Sequence, residues 1–206
     1  MNVSLKEIRA LGSLTDRMAP GRQPQFTEAH MVKALKVIGA EGPGRKQLAA
    51  RLELGEGVVR TLLGRLMGAG FVSTSRSGTA LTEAGRRLLG EVEAALPGRP
   101  VGRTDLTVAR SNYLVLVRGG ASRVRFGVEQ RDEALLSGAR GATTLLLRMG
   151  ELLVPGLDAD VSSRLRDEIM ALGPGEGDAV IIGSADSGLA AEIGAYSSAI
   201  ALLTTE

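Results

Sequence analysis

The 206-residue chain contains no cysteine and no tryptophan, one histidine, two tyrosines and three phenylalanines. Without cysteine there can be no disulfide framework, thiolate metal site or cysteine nucleophile. The only histidine is His30. Any Ser-His-Asp set would have to include it, and any metal there would need oxygen ligands. A helix residue or capping partner explains it more simply. The shortage of aromatics argues against gripping single-stranded nucleic acid by rows of stacked bases. It also leaves Leu, Val, Ile and Ala to fill the core. No apolar run reaches transmembrane length, and no signal-peptide pattern stands at the start. No membrane partner is therefore expected, and the expected location is cytoplasmic.

Charge is present, and it is uneven. Residues 1–100 carry 15 Lys and Arg against 9 Asp and Glu, whereas residues 101–206 carry 10 against 14. All four lysines, Lys6, Lys33, Lys36 and Lys46, lie in the first half. A basic half joined to an acidic one fits a nucleic-acid module attached to something else.

The most informative stretch runs from Arg45 to Gly85. Leu48, Ala49 and Leu52 share one face of a short helix. Gly55 and Gly57 then offer a sharp turn through glycine's freedom at positive φ. Val59, Leu62, Leu63 and Leu66 recur at i, i+3, i+4 and i+7, a core-facing stripe on a second helix. The outer face of that helix carries Glu56, Val58, Arg60, Thr61 and Arg65, with Gly64 on the same side. Next, Phe71–Thr74 and Thr79–Leu81 read as a hairpin turned by Ser77-Gly78, with Arg76 at its tip. Thr82 caps a following helix that shows Leu88, Leu89, Val92 and Leu96 on one face. This is the order of a helix-turn-helix with a wing. Arginine reaches guanine edges or phosphates, and threonine reaches either phosphate or base. The candidate contacts to double-stranded DNA are Arg45, Lys46, Gln47, Glu56, Val58, Arg60, Thr61, Arg65 and Arg76.

Residues 45–89 resemble the winged-helix domain of prokaryotic transcription regulators, down to Leu81-Thr82-Glu83-Ala84-Gly85-Arg86 at the post-wing helix. The wider stretch from Gln25-Phe26-Thr27-Glu28-Ala29-His30 through Gly57–Leu63 is similar to an archaeal family of predicted winged-helix regulators. In that family the winged helix is joined to a C-terminal domain of unknown function. The runs Glu129–Ala134 and Gly138–Ala142 resemble this second domain. The resemblance implies DNA binding and carries no catalytic residues over.

The expected fold is α+β: an N-terminal winged helix-turn-helix domain followed by a small mixed α/β sheet domain. The first domain takes residues 1–96, including an N-terminal amphipathic arm (3–18), a helix capped by Thr27 and the post-wing helix. That last helix could close the core or pair with its copy in a second subunit; a homodimer is expected, because two-fold regulators read two half-sites. Pro97–Arg103, with two prolines and two glycines, predicts a linker over 97–104. Residues 105–206 form the second domain, for ligand sensing or dimerisation. Strands are expected at Tyr113–Val117, Arg123–Val128, Thr143–Leu147, Leu152–Val154 and Ala179–Ile182. Helices are expected at Glu129–Ser137, Val161–Leu172 and Ser187–Leu203, covering one side of the sheet.

Chemistry in the second domain is thinly signalled. Gly183–Gly188 follows a strand and opens a helix, so its backbone N–H groups could hold a phosphate or carboxylate. It lacks the lysine of a Walker loop and the full dinucleotide glycine spacing. Arg131, Ser184, Asp186 and Ser187 are the candidates for binding a small anionic effector; an N-cap turn and a surface ion pair account for the same residues. Asp158-x-Asp160 could hold Mg²⁺, but a polar loop ending in a cap explains it as well. No cofactor is expected. Archaeal riboflavin kinases that carry a winged helix have a glycine-rich nucleotide-binding pattern, which is not found after the expected linker. The favoured function is a DNA-binding transcription regulator whose C-terminal domain senses a ligand, dimerises, or does both. The alternative is an enzyme with an anion- or nucleotide-binding C-terminal domain and an appended winged helix. A third reading has the winged helix bind protein.

Overall fold

In a computed structural model, residues 5–15, 24–76, 78–157 and 159–204 are described, the side chains of 5–7 excepted. They form two compact units, Asn2–Val92 and Glu93–Glu206. The fold is α+β, with a mainly helical first unit and a sheet in the second.

In the first unit α1 (Leu5–Thr15) buries Ile8 and Leu11 against its own chain. Residues 3–4 and 16–18 of the expected arm lie outside the described residues. Helix α2 (Glu28–Glu41) begins where the sequence signals it. The Thr27 N–H donates to His30 Nδ1 at 3.1 Å, completing a capping box. Phe26 and Met31, the residues on either side of the cap, are both buried, as a hydrophobic staple requires. Helices α3 (Arg45–Leu52) and α4 (Glu56–Gly68) follow, then the antiparallel hairpin β1 (Val72–Ser75) and β2 (Gly78–Leu81), then α5 (Glu83–Ala95).

Two details differ from the sequence reading. The turn between α3 and α4 takes its left-handed residue from Glu53, φ 51°, whereas Gly55 is extended and Gly57 lies inside α4. Gly78 belongs to β2 rather than to the turn, because it pairs with Ser75. Ser77 lies outside the described residues. Gly78 serves a different purpose: a Cβ there would stand 2.2 Å from the Gly42 carbonyl oxygen. Glycine lets β2 close on the end of α2, where the Thr79 N–H donates to the Pro43 carbonyl at 3.2 Å.

The second unit is a five-stranded antiparallel sheet. Its strands are β3 (Gly98–Val101), β4 (Ser111–Val117), β5 (Gly141–Arg148), β6 (Glu151–Leu153) and β7 (Ala179–Ala185), in the order β3-β4-β7-β5-β6. The expected linker is therefore an edge strand from 98 to 101. Prolines stop strands only where a ladder N–H is needed, and Pro100 sits on the edge. Gly98 is there for room, since a Cβ would meet the Leu114 carbonyl and the Tyr113 ring at 2.8 Å each.

Helices cover both faces of this sheet, not one. Leu165 and Ile169 of α7 (Ser163–Met170) pack with Leu114, Leu116, Leu145, Leu147, Val180 and Ile182. On the other face lie α6 (Val128–Leu136) and α8 (Gly188–Thr204), with Gly183 of β7 against Ala191 and Ala195. Every residue of β7 is buried, the pattern of a strand covered twice. The expected strand at Arg123–Val128 is absent. A 3-10 turn at Ala121–Arg123 and the left-handed Gly127, φ 78°, occupy that stretch, and Phe126 points to solvent. Ser162, rather than Asp160, caps α7. Asp158 lies outside the described residues.

Asp178 closes the sheet's end. Its carboxylate accepts from Arg118 at 3.0 Å and from the Gly119 and Gly175 N–H groups at 2.8 Å each. Removing one partner of such a buried pair is costly, so Asp178→Ala should lower stability by about 3 kcal/mol in urea unfolding. In the first unit, burial lowers the His30 pKa from its ordinary value of 6.5. The unfolded chain then takes up the proton first. Stability is complete above about pH 6.5 and falls as pH drops towards the folded pKa. His30→Gln keeps an acceptor at the cap. It should remove that slope between pH 7.5 and 5, leaving only the carboxylate contribution.

Candidate nucleic-acid interface

Helix α4 contains three glycines, each costing about 1 kcal/mol relative to alanine in a helix interior. It is held by its inner stripe: Val59, Leu62, Leu63 and Leu66 are all buried. This burial turns Glu56, Gly57, Arg60, Thr61 and Gly64 outward, and all five are exposed. A Cβ built on Gly57, Gly64 or Gly68 meets nothing within 4 Å. The bare face would admit a closely approaching backbone or groove wall. Thr61 Oγ1 donates to the Gly57 carbonyl at 3.2 Å, which leaves its lone pairs outward. Arg60 is exposed and pairs with no acidic side chain among the described residues.

The other candidates divide. Lys46 and Arg76 are exposed, at the start of α3 and at the hairpin tip. Arg45 at the start of α3 faces Glu56 at the start of α4 at 3.6 Å, with both side chains about half exposed. At that exposure the pair is worth little, so Arg45 can exchange Glu56 for a phosphate. Gln47 is spent locally, its Oε1 accepting from the Gly44 N–H at 2.9 Å as the cap of α3. Val58 is half-buried.

Arg65 corrects the expected outer face. It is half-buried, its Nη1 donates to the Leu14 carbonyl at the end of α1, and its guanidinium lies 5.6 Å from the Phe26 ring centre. Arg60 and Arg65 are five residues apart, so they differ by more than a full turn and point in different directions. The sequence pattern missed Phe26 as a partner because its signal belongs to the staple of α2, not to α4.

The four residues expected to hold an effector are engaged by partners within the chain. Ser184 lies within β7, 1% exposed; its Oγ donates to Asn112 Oδ1 at 2.7 Å and accepts from the Ala109 N–H at 2.9 Å. Ser187 caps α8 through the Ala190 N–H at 3.1 Å. Asp186 pairs with Arg140 at 2.7 Å, and Arg131 with Asp132 at 2.9 Å, all in solvent. Buried backbone and side-chain groups must find partners, and here the nearest partners are internal. Among the described residues, no group of three or more His, Asp or Glu side chains is placed to hold a metal ion. None of the described helices is long and apolar enough to cross a membrane.

Two family models match the sequence: the N-terminal domain of PH0730-like proteins over residues 35–87, and a domain of unknown function, DUF4443, over residues 108–202. Among solved structures, the chain is similar to the hypothetical protein PH0730 from Pyrococcus horikoshii OT3. The identity is 29% and the TM-score 0.65, over 87% of this chain and 91% of that one. No curated protein matches. The matches are consistent with an archaeal family that pairs a PH0730-like N-terminal domain with this C-terminal domain.

The split between the two arginines is measurable. Arg65→Ala removes a hydrogen bond and the stem packed on Phe26, and should lower stability by about 1–2 kcal/mol. Arg60→Ala should stay within about 0.5 kcal/mol of the parent, as surface changes do. Urea midpoints at constant slope decide it.

Proposed function

We propose that the protein is a DNA-binding transcription regulator and that its first unit acts as a winged helix. On this reading α4 lies in the major groove, with Arg60 and Thr61 at base edges or phosphates. Arg45 and Lys46 meet the phosphates beside it, and β1–β2 is the wing that carries Arg76 to the backbone or minor groove. The observation that carries the reading is the outer face of α4: a leucine-backed helix with an exposed, unpaired arginine and glycines that present no side chain. The basic excess of residues 1–100 supports it, and the match to a PH0730-like N-terminal domain is compatible with it.

The second unit then senses a ligand, joins two copies, or does both, and the protein works in the cytoplasm. A two-fold dimer doubles the contact and sets the spacing of two half-sites. Burial of Leu88 and Val92 of α5 within the chain favours an interface elsewhere. The second unit leaves Phe126, Leu136 and Met149 largely exposed, and these are the side chains a second copy would cover.

Binding to duplex DNA should weaken with salt. For each phosphate contact removed, as by Arg76→Ala, the log–log slope should fall by about 0.9. Arg60→Ala should cost about 1–3 kcal/mol and relax sequence preference if the residue reads a base. Fluorescence anisotropy on genomic fragments selected for binding gives both quantities. Unchanged affinity of Arg60→Ala and Arg76→Ala at low salt would remove the recognition-helix assignment.

A further inference from the structure

On one face of the second unit's sheet the cover stops short of the edge. Residues opposed in an antiparallel pair share a face, and faces alternate along each strand. Leu145 and Leu147 of β5 pack towards α7, so Leu146, Arg148, Glu151 and Leu153 belong to the other face. Leu146 is buried there, whereas its register partner Leu153 is 47% exposed. Beside Leu153 lies an open bay of about 590 Å³. Ala121, Gly177 and Leu153 give it apolar wall, and Arg148, Glu151 and Glu176 bring charge to it.

Met149, at the tip of the β5–β6 hairpin, lines the same bay. It is 95% exposed and left-handed, φ 51°, and with Gly150, φ 78°, it forms the two-residue turn of the hairpin. Such a turn favours asparagine, aspartate or glycine at its first position. A methionine there carries a steric cost and buries almost nothing within its own chain. Its N–H donates to Glu176 Oε2 at 2.9 Å, which anchors the tip. The fold thus holds a large apolar side chain out in solvent, beside a bay with room for one. The charges say which occupant fits. Arg148 and Glu151 are register partners, both exposed, and neither forms an ion pair with a described residue. A surface of one sign would set like charges against one of them. A second copy turned about a two-fold axis brings both signs in reversed order.

We propose that the β5–β6 hairpins of two copies dock on one another about a two-fold axis. Met149 of each enters the bay of the other, and Arg148 of each meets the partner's Glu151. Knob and bay belong to one surface, so a single rotation seats both and the assembly closes as a dimer. Leu136 does not line the bay and lies outside this contact. The proposal rests on the reading that the second unit joins two copies, and it is tested without DNA.

Sedimentation equilibrium of the full chain measures the association. The parent should be a dimer at sub-millimolar concentration. Met149→Asn should weaken the dimer at least about tenfold. The dilute Met149→Asn monomer should unfold at the same urea concentration as the parent monomer or a higher one, because asparagine suits the turn. Arg148→Glu and Glu151→Arg should each weaken association, and the double swap should restore it. A parent that stays monomeric at every concentration overturns the proposal together with the two-copy reading. A dimer that Met149→Asn leaves intact, or a double swap no better than its single changes, overturns this surface and leaves that reading standing.

Discussion

Everything on the outer surface of α4 follows from what its inner surface buries. A helix has one set of angular positions, and the stripe Val59, Leu62, Leu63 and Leu66 claims the core side. Fully burying four such side chains is worth about 1.5–3 kcal/mol each, which outweighs the helix propensity lost to Gly57, Gly64 and Gly68. Once that stripe is seated, Arg60 and Thr61 have no inward option. The glycines, poor residues for making a helix, are tolerable because packing and not propensity holds it.

The same geometry separates two arginines that look alike in sequence. Arg60 and Arg65 lie on opposite flanks of the stripe. On Arg65's flank stand Phe26 and the end of α1, so the long stem can cover apolar surface while the guanidinium finds a carbonyl. The carbonyl it finds, that of Leu14, belongs to a helix fifty-one residues earlier. Helices end with unsatisfied carbonyls, and a cation near the last turn also meets the negative end of the helix dipole. Arg65 therefore holds α1 in place; Arg60 remains available.

The second unit shows the opposite balance of polar groups. Its central strand β7 is covered on both faces, so polar atoms near it have to be satisfied from within. Ser184 manages this with Asn112 and the Ala109 N–H. Asp178 manages it with Arg118 and two backbone N–H groups. Burial pushes the hydroxyl pKa of Tyr113 and Tyr196 well above the ordinary tyrosine value, and Tyr196 donates to the Leu96 carbonyl. Three buried side-chain atoms of this unit, Gln130 Oε1, Thr144 Oγ1 and Ser197 Oγ, have no hydrogen-bond partner among the described residues.

The sequence by itself determined the local elements. Capping at Thr27 and Thr82, the leucine periods of α3 and α4, and the buried runs of β4 and β7 are all written within a few residues, because each is a local balance of hydrogen bonds and apolar spacing. Only the tertiary structure decided the rest. It made Gly98–Val101 an edge strand instead of a linker, since the reason for its glycine is a tyrosine ring and a carbonyl on β4. It denied Arg123–Val128 a strand, because alternation has no force without a neighbouring ladder. It turned Arg65 toward α1 and gave Arg131, Ser184, Asp186 and Ser187 partners within the chain. It also brought Arg125 and Gln130 to the same cavity as Leu202, more than seventy residues on, a meeting that no period in the chain encodes.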